Sequence, residues 1–192
     1  MEKKTLITRS MVVLILISIA MVVSPAVNSL PNGIGYEQVK SGGCNCHNGV
    51  ADTGVVVALD GLPEQYNVSE TYELTISFSG GPSTDGAANL GGFNLWASGG
   101  EITPVDATVQ SRDSSEVTHT EAGNDYRSWT VEWTAPSHGR NVDFLLHVNS
   151  VNGDGVQGPE DKWNRLSITV AGSLGAALDP ADPFTVLATL II

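Results

Sequence analysis

Between about residue 50 and residue 171, apolar and polar side chains alternate in short runs separated by clusters of Gly, Pro, Asn, Asp and Ser. A period of two is the pattern of β-strands, and no stretch has a helical period long enough to indicate a helix. In Thr71 to Ser79, every second residue from Tyr72 onward is apolar, which places the apolar set on one face of a strand. The chain is therefore predicted to be all-β.

Eight segments are predicted to form strands, two of them with a weaker pattern. The clearer ones are Gly54 to Asp60, Thr71 to Ser79, Gly92 to Ser98, Trp129 to Trp133, Val142 to Val148 and Leu166 to Val170, and the weaker ones are Val105 to Gln110 and Glu116 to Thr120. About seven or eight strands in about 120 residues are typical of a single immunoglobulin-like antiparallel β-sandwich. That length supplies one hydrophobic core and is too short for two domains.

The N-terminus has the composition of an export signal. Its parts are the basic residues Lys3, Lys4 and Arg9, the apolar run Met11 to Val23, and the small-residue cleavage site Val27-Asn28-Ser29. The apolar run of about 13 residues is short for a membrane-spanning helix, which needs roughly 20. Residues 1–29 are therefore predicted to be a signal peptide. The mature protein is expected to be secreted or located at the cell surface.

The C-terminal residues 172–192 differ from the rest of the chain. Gly172 to Pro183 is a linker containing Gly, Ala and Pro, and Phe184 to Ile192 is a largely apolar run of nine residues that includes Thr185 and Thr189. Such a run is too short to span a bilayer as a helix. It is interpreted either as a final strand or as the opening turns of a membrane anchor, which the preceding linker favours. The chain between the two ends divides into an N-terminal segment, residues 30–53, and a sandwich domain, residues 54–171.

The mature chain is strongly acidic. The formal net charge of the whole chain is −12, and it becomes −14 when the signal peptide, with its three basic residues and Glu2, is removed. Such a surface disfavours nucleic acids and anionic membrane surfaces as partners and favours cationic partners or a salty medium. The sequence contains no Gly-x-Ser-x-Gly motif and no pair of carboxylates that stands out from the acidic background, so no enzymatic activity is predicted.

The two cysteines of the chain lie in Cys44-Asn45-Cys46-His47, one residue apart and directly before a histidine. Two thiols followed by an imidazole can hold a c-type haem, in which the cysteines form thioethers and the histidine binds the iron. The usual motif has two residues between the cysteines, so the shorter spacing here makes attachment through a single thioether a realistic variant. Export agrees with this interpretation, because covalent haem attachment and stable cysteine pairs are both typical of compartments outside the cytosol.

Two other interpretations of the same residues stay open. Cys44 and Cys46 can form a tight disulfide around Asn45 in a haem-free extracellular adhesion or binding module, with His47 as a bystander. They can instead bind copper or zinc together with His47 and a fourth ligand from the fold, because both metals accept thiolate and imidazole.

Several short motifs follow the CxCH segment in a fixed order. They are Gly61-Leu62-Pro63, Tyr72-Glu73-Leu74-Thr75-Ile76, Gly92-Phe93-Asn94-Leu95, His119-Thr120, Trp129 to Pro136 and Val148 to Gly153. This order resembles the choice-of-anchor V domains, secreted or anchored proteins of bacteria and archaea whose sandwich is similar to the reeler domain of animal extracellular proteins. The resemblance covers roughly Gly43 to Val170. Members of that family often begin with CxxCH or CxCH, whereas Asn67-Val68-Ser69 departs from their usual Pro-Gly turn.

The resemblance implies a reeler-like sandwich and a second iron ligand. His119 matches the His-Thr of the family and becomes the candidate ligand opposite His47, so the predicted haem c site consists of Cys44, Cys46, His47 and His119. Two imidazole ligands suit electron transfer. The chain is therefore predicted to be an exported monohaem electron-transfer protein, with a redox partner that the sequence does not identify.

The remaining polar residues are predicted to have ordinary surface roles. His138 lies in a turn. His147 shares a strand face with polar residues, which makes it a surface or second-sheet polar residue and a weaker alternative to His119. The loop Asn149 to Asp161 is interpreted as a plain acidic loop, although oxygen-rich loops can hold calcium. The tryptophans are expected to pack the sandwich or to line an apolar haem crevice.

Overall fold

The computed structural model describes residues 30–44, 47–84, 86 and 88–173. The predicted signal peptide, Cys46 and the C-terminal apolar run lie outside these residues. The described chain forms a helical turn α1 (Tyr36–Val39), a 3-10 helix (Ala122–Asp125) and ten strands. The strands are β1 (Val55–Asp60), β2 (Gln65–Asn67), β3 (Thr71–Gly80), β4 (Gly91–Ala97), β5 (Glu101–Pro104), β6 (Val109–Asp113), β7 (Glu116–His119), β8 (Ser128–Thr134), β9 (Val142–Ser150) and β10 (Lys162–Ser173). Within the described ranges, no helix has the length and apolar character needed to cross a membrane.

The strands form two sheets. One has four strands in the order β1-β3-β8-β5, and the other has six in the order β2-β10-β9-β4-β7-β6. The β2–β10 pair is parallel, and the other pairs are antiparallel. The two sheets enclose one hydrophobic core between them. The predicted all-β sandwich is confirmed.

Two strands were not predicted and one is displaced. β2 and β5 have three and four residues, which is too few for an alternation to be recognised. The expected strand Val105 to Gln110 is wrong in its first part, because the side chain of Asp106 accepts a hydrogen bond from the backbone N–H of Thr108 at 2.7 Å. That bond makes a turn between β5 and β6.

The core is filled by the apolar positions that the alternation predicts. Trp133, which is fully buried, packs edge-on against Tyr66 and Phe144, with ring centroids 5.4 Å and 4.9 Å apart. Around these aromatic rings lie the other buried positions of the long strands. They are Leu74, Ile76 and Phe78 in β3, Trp129 and Val131 in β8, and Val142, Leu146 and Val148 in β9.

The outer face of the six-stranded sheet carries a line of polar residues across four strands. Arg165 in β10 is paired with His147 in β9, which is paired with Asn94 in β4, which is paired with Thr118 in β7. These four residues alternate with core residues along their strands, so their side chains point away from the core. His147, Asn94 and Thr118 are nevertheless buried, because another part of the chain covers them.

The covering segment is the N-terminal one, residues 30–44 and 47–50, which we call the N-terminal cover. The side chain of Glu116 accepts a hydrogen bond from the backbone N–H of Tyr36 at 2.6 Å, and the side-chain amide of Asn94 donates to the carbonyl of Ile34 at 2.9 Å. The ring of Tyr36 stacks on Trp96 with centroids 4.4 Å apart. These contacts fix the start of α1 on the sheet.

The other end of the N-terminal cover is fixed by Trp163. The indole N–H of Trp163 donates to the carbonyl of Asn48 at 2.6 Å, and the ring lies directly against Gly43. Trp163 and Trp96 were expected to pack the sandwich or a haem crevice. Instead both lie on the outer face of the six-stranded sheet, where they hold the cover.

Gly43→Ala is expected to loosen the N-terminal cover. Gly43 has a φ of +68°, and a Cβ there would lie 2.0 Å from the Trp163 ring. The left-handed conformation alone costs a non-glycine residue about 1–2 kcal/mol, so the opened state should become about tenfold more populated. Limited proteolysis of residues 30–50 should then be about tenfold faster.

Gly49→Ala is the matched control for this experiment. A Cβ at Gly49 would have no heavy atom within 4 Å, so its cleavage rate should equal that of the wild type. Equal rates for the two variants would show that Gly43 does not fix the cover.

Candidate functional site

A cavity opens between the N-terminal cover, the outer face of the six-stranded sheet and the loop of residues 151–161. A water-sized molecule has about 100 Å³ of this cavity to occupy, and the whole space between its walls, open solvent included, is about 880 Å³. Its lining is more apolar than polar. Cys44, His47, His119 and His147 all line it. The fold therefore brings three of the predicted cofactor residues to the same cavity, together with a third histidine.

His47 is oriented by a buried carboxylate. Its Nδ1 lies 2.7 Å from Oδ2 of Asp161, whose side chain is 1% exposed. Asp161 also accepts hydrogen bonds from the backbone N–H groups of Asn152 and Gly158, so the loop fixes the carboxylate before the histidine reaches it. Histidines that bind metals usually have one ring nitrogen on such a partner and bind with the other. His47 therefore has Nε2 left for a ligand.

Asp161 is the functional residue that the sequence analysis missed. It was grouped with the acidic residues of a loop, and no motif marks it as different from them. Its distance from His47 along the chain hides the pairing, which arises only when the loop after β9 folds back over the N-terminal cover.

His119 lies at the end of β7 with its ring above β4. A Cβ on Gly92 would lie 2.3 Å from Cε1 of His119, so the glycine makes the space that the ring occupies. Nδ1 of His119 is 3.2 Å from the carbonyl oxygen of Phe93 and 3.1 Å from its N–H. In the tautomer that donates to this carbonyl, Nε2 carries the lone pair. Burial lowers the pKa of His119, which favours the neutral form that can act as a ligand.

His147 is fully buried, which contradicts the surface alternative of its predicted placement. The alternation placed it correctly on the outer face, but the N-terminal cover shields that face from solvent. Neither of its ring nitrogens has a hydrogen-bond partner among the described residues. Burial, assisted by the positive charge of Arg165, lowers the pKa of His147 to about 4.

Cys44 is half-buried at the cavity wall, and Cys46 lies outside the described residues. Thioether formation and the disulfide therefore both stay predictions. Within the described ranges, no three His, Cys, Asp or Glu side chains are grouped closely enough to hold one metal ion. The copper or zinc interpretation would need Cys46 to complete its ligand set.

The buried neutral state of His147 predicts a stability that falls in acid. Its pKa is about 4 in the folded protein against an ordinary 6.5, so the unfolded chain binds a proton that the folded chain does not bind between these values. The stability is full above pH 6.5 and is lost progressively as the pH falls to 4, by about 3 kcal/mol in total.

Chemical denaturation of the wild type and of His147→Leu across this pH range measures the effect. Between pH 6.5 and pH 4, the free energy of unfolding of the variant should fall by about 3 kcal/mol less than that of the wild type. Equal pH dependence of the two proteins would mean that the pKa of His147 is the same in the folded and the unfolded chain.

No protein-family model and no curated protein gives a significant match to the chain. Among solved structures, it is similar to the reeler domain of human F-spondin, with a TM-score of 0.41 and 18% identity over 64% of this chain and 91% of that one. It is also similar to a structure of the Reelin-N domain of F-spondin, with a TM-score of 0.41 and 20% identity over 64% of this chain and 88% of that one. For a conjugative transposon lipoprotein from Bacteroides eggerthii, the TM-score is 0.38 and the identity 12% over 62% of this chain and 98% of that one. At these identities the similarity concerns the fold alone.

Proposed function

We propose that the protein is an exported c-type monohaem electron-transfer protein, related to the choice-of-anchor V domains and working in the secreted or cell-surface compartment. The observation that carries this proposal is the shared cavity. Cys44 and His47 from the CxCH motif line it, and so does His119 from a strand more than 70 residues further along the chain. The order of motifs in the sequence supports the family and the export.

Both candidate iron ligands have a polar oxygen within hydrogen-bond distance of Nδ1. Nδ1 of His47 is engaged by the carboxylate of Asp161, and Nδ1 of His119 lies within hydrogen-bond distance of the Phe93 carbonyl. Nε2 of His47 is thereby left to bind. Nε2 of His119 is left to bind in the tautomer whose Nδ1 donates to this carbonyl, and not in the one whose Nδ1 accepts the Phe93 N–H. Haem c, when bound, supplies one-electron chemistry, and two imidazole ligands suit electron transfer.

The surroundings fit a flat, largely apolar group. The cavity is open to solvent on one side, and its lining is more apolar than polar. Leu30 and Val156, which line this space, are 62% and 49% exposed, so a bound macrocycle would cover apolar surface that is now in contact with water. The acidic surface of the mature chain favours a redox partner with a cationic docking face.

Covalent haem is tested by expressing the full chain with its signal peptide in a host that has a cytochrome c maturation system. We expect a pyridine haemochrome spectrum that survives denaturation and acid-acetone extraction. The double variant Cys44→Ala plus Cys46→Ala should lose it. The position of the haemochrome band separates one thioether from two.

A folded wild-type protein without retained haem would contradict the cytochrome proposal. In that case mass spectrometry under non-reducing conditions identifies a Cys44–Cys46 disulfide, as expected for the haem-free adhesion or binding module, and metal analysis identifies copper or zinc.

The second iron ligand is tested by His119→Ala. Losing one of two imidazoles should change the haem from six-coordinate low-spin to a high-spin state, which is visible in the absorption spectrum and by electron paramagnetic resonance. His138→Ala, which alters an exposed turn histidine outside the cavity, should leave the spectrum unchanged. A low-spin spectrum in His119→Ala would remove this residue from the ligand set while leaving the covalent attachment intact.

A further inference from the structure

Four buried polar atoms in the cavity wall have no hydrogen-bond partner among the described residues. They are Oδ1 of Asn94, Nδ1 and Nε2 of His147, and Oδ1 of Asn149. All three residues line the cavity, and we call them the polar floor. Buried polar groups in native proteins are nearly always paired, so each of these atoms requires an explanation.

The three residues are neighbours on one face of the sheet. Asn94 is directly opposite His147 in the β4–β9 pairing, and Asn149 follows His147 by two residues on the same strand. Side chains at such positions are close enough for one small molecule to contact more than one of them. The unpaired atoms therefore form one polar surface, and the enclosed space beside it, about 100 Å³, accommodates a molecule of a few heavy atoms.

His147 does not have the features of an iron ligand. His47 and His119 each have a partner on Nδ1, as ligating histidines usually do, whereas His147 has none among the described residues. A neutral imidazole with both nitrogens unpaired offers one N–H donor and one acceptor. It is therefore suited to hydrogen bonding with a bound molecule.

The hydrogen-bonding pattern of the floor determines what it can bind. The side-chain amide N of Asn94 donates to the carbonyl of Ile34 and to Glu116, which identifies its Oδ1 as the acceptor without a partner. With the oxygen of Asn149 and one nitrogen of His147, the floor presents up to three acceptors, and the other nitrogen of His147 presents a donor. The three floor residues are uncharged, and the charged groups beside them have opposite signs, with Arg165 opposite His147 and Glu116 accepting from Asn94. Neither sign of charge on a bound molecule is therefore favoured.

We infer that the polar floor is a binding site for a small uncharged molecule with at least two N–H or O–H donors and one acceptor, such as a primary amide. The site lies in the same cavity as the proposed haem ligands but does not depend on haem. It is tested on the chain produced without cytochrome c maturation, in which no haem competes for the space, so its outcome is distinguishable from that of the haemochrome experiment.

The test uses the full exported chain, labelled with ¹⁵N and followed by NMR while acetamide is added. We expect saturable shifts of the His147 ring nitrogens and of the side-chain amides of Asn94 and Asn149. N,N-dimethylacetamide has the same acceptor and no donors, so it should cause no saturable shift. His147→Leu, read from the asparagine amides, should weaken acetamide binding at least tenfold, and His138→Leu should not.

The stability of the ligand-free variants separates a binding role from a structural one. His147→Leu removes two unpaired buried polar atoms, so its melting temperature should equal or exceed that of His138→Leu. Asn149→Leu provides a second variant at a half-buried position and should also weaken acetamide binding. The inference is overturned by equal shifts with both amides, by no saturable shift, by undiminished binding in His147→Leu and Asn149→Leu, or by a large loss of stability in both.

Discussion

The structure depends on the burial of a polar sheet face. The outer face of an antiparallel sheet normally meets water, but here the N-terminal cover lies on it, and every polar group beneath the cover must find a partner or remain costly. Glu116 resolves much of this cost, because its carboxylate receives the N–H of Tyr36 and the amide of Asn94 at once. The same contacts position α1, which is followed by Cys44 and His47.

The cavity exists because the cover is fixed at two separate places. Tyr36 stacks on Trp96 at one place, and Gly43 and Asn48 contact Trp163 at the other. The polar side chains between the two places are too short to fill the space beneath the chain. Three histidines reach this space from different elements. His47 is held from the loop after β9, His119 projects from the end of β7 over a glycine, and His147 rises from the middle of β9.

Much of the sandwich could be predicted from local pattern. In β3, β8 and β9 the alternating apolar residues are the ones that fill the core, since a strand with one buried face must show a period of two. Short strands such as β2 gave no such signal, and the turn at Asp106 competed with a strand pattern through a side-chain hydrogen bond. The alternation also placed His147 on the correct face, but it could not reveal that this face is covered.

The sequence by itself determined the all-β class, the acidic net charge and the chemical character of the Cys44 to His47 motif, because each of these follows from composition or from neighbouring residues. Only the tertiary structure decided that His119 and His147 share a cavity with Cys44 and His47 and that Asp161 orients His47. These relations join residues far apart in the chain. Hydrogen-bond geometry and burial depend on three-dimensional distance, which no local period or spacing encodes.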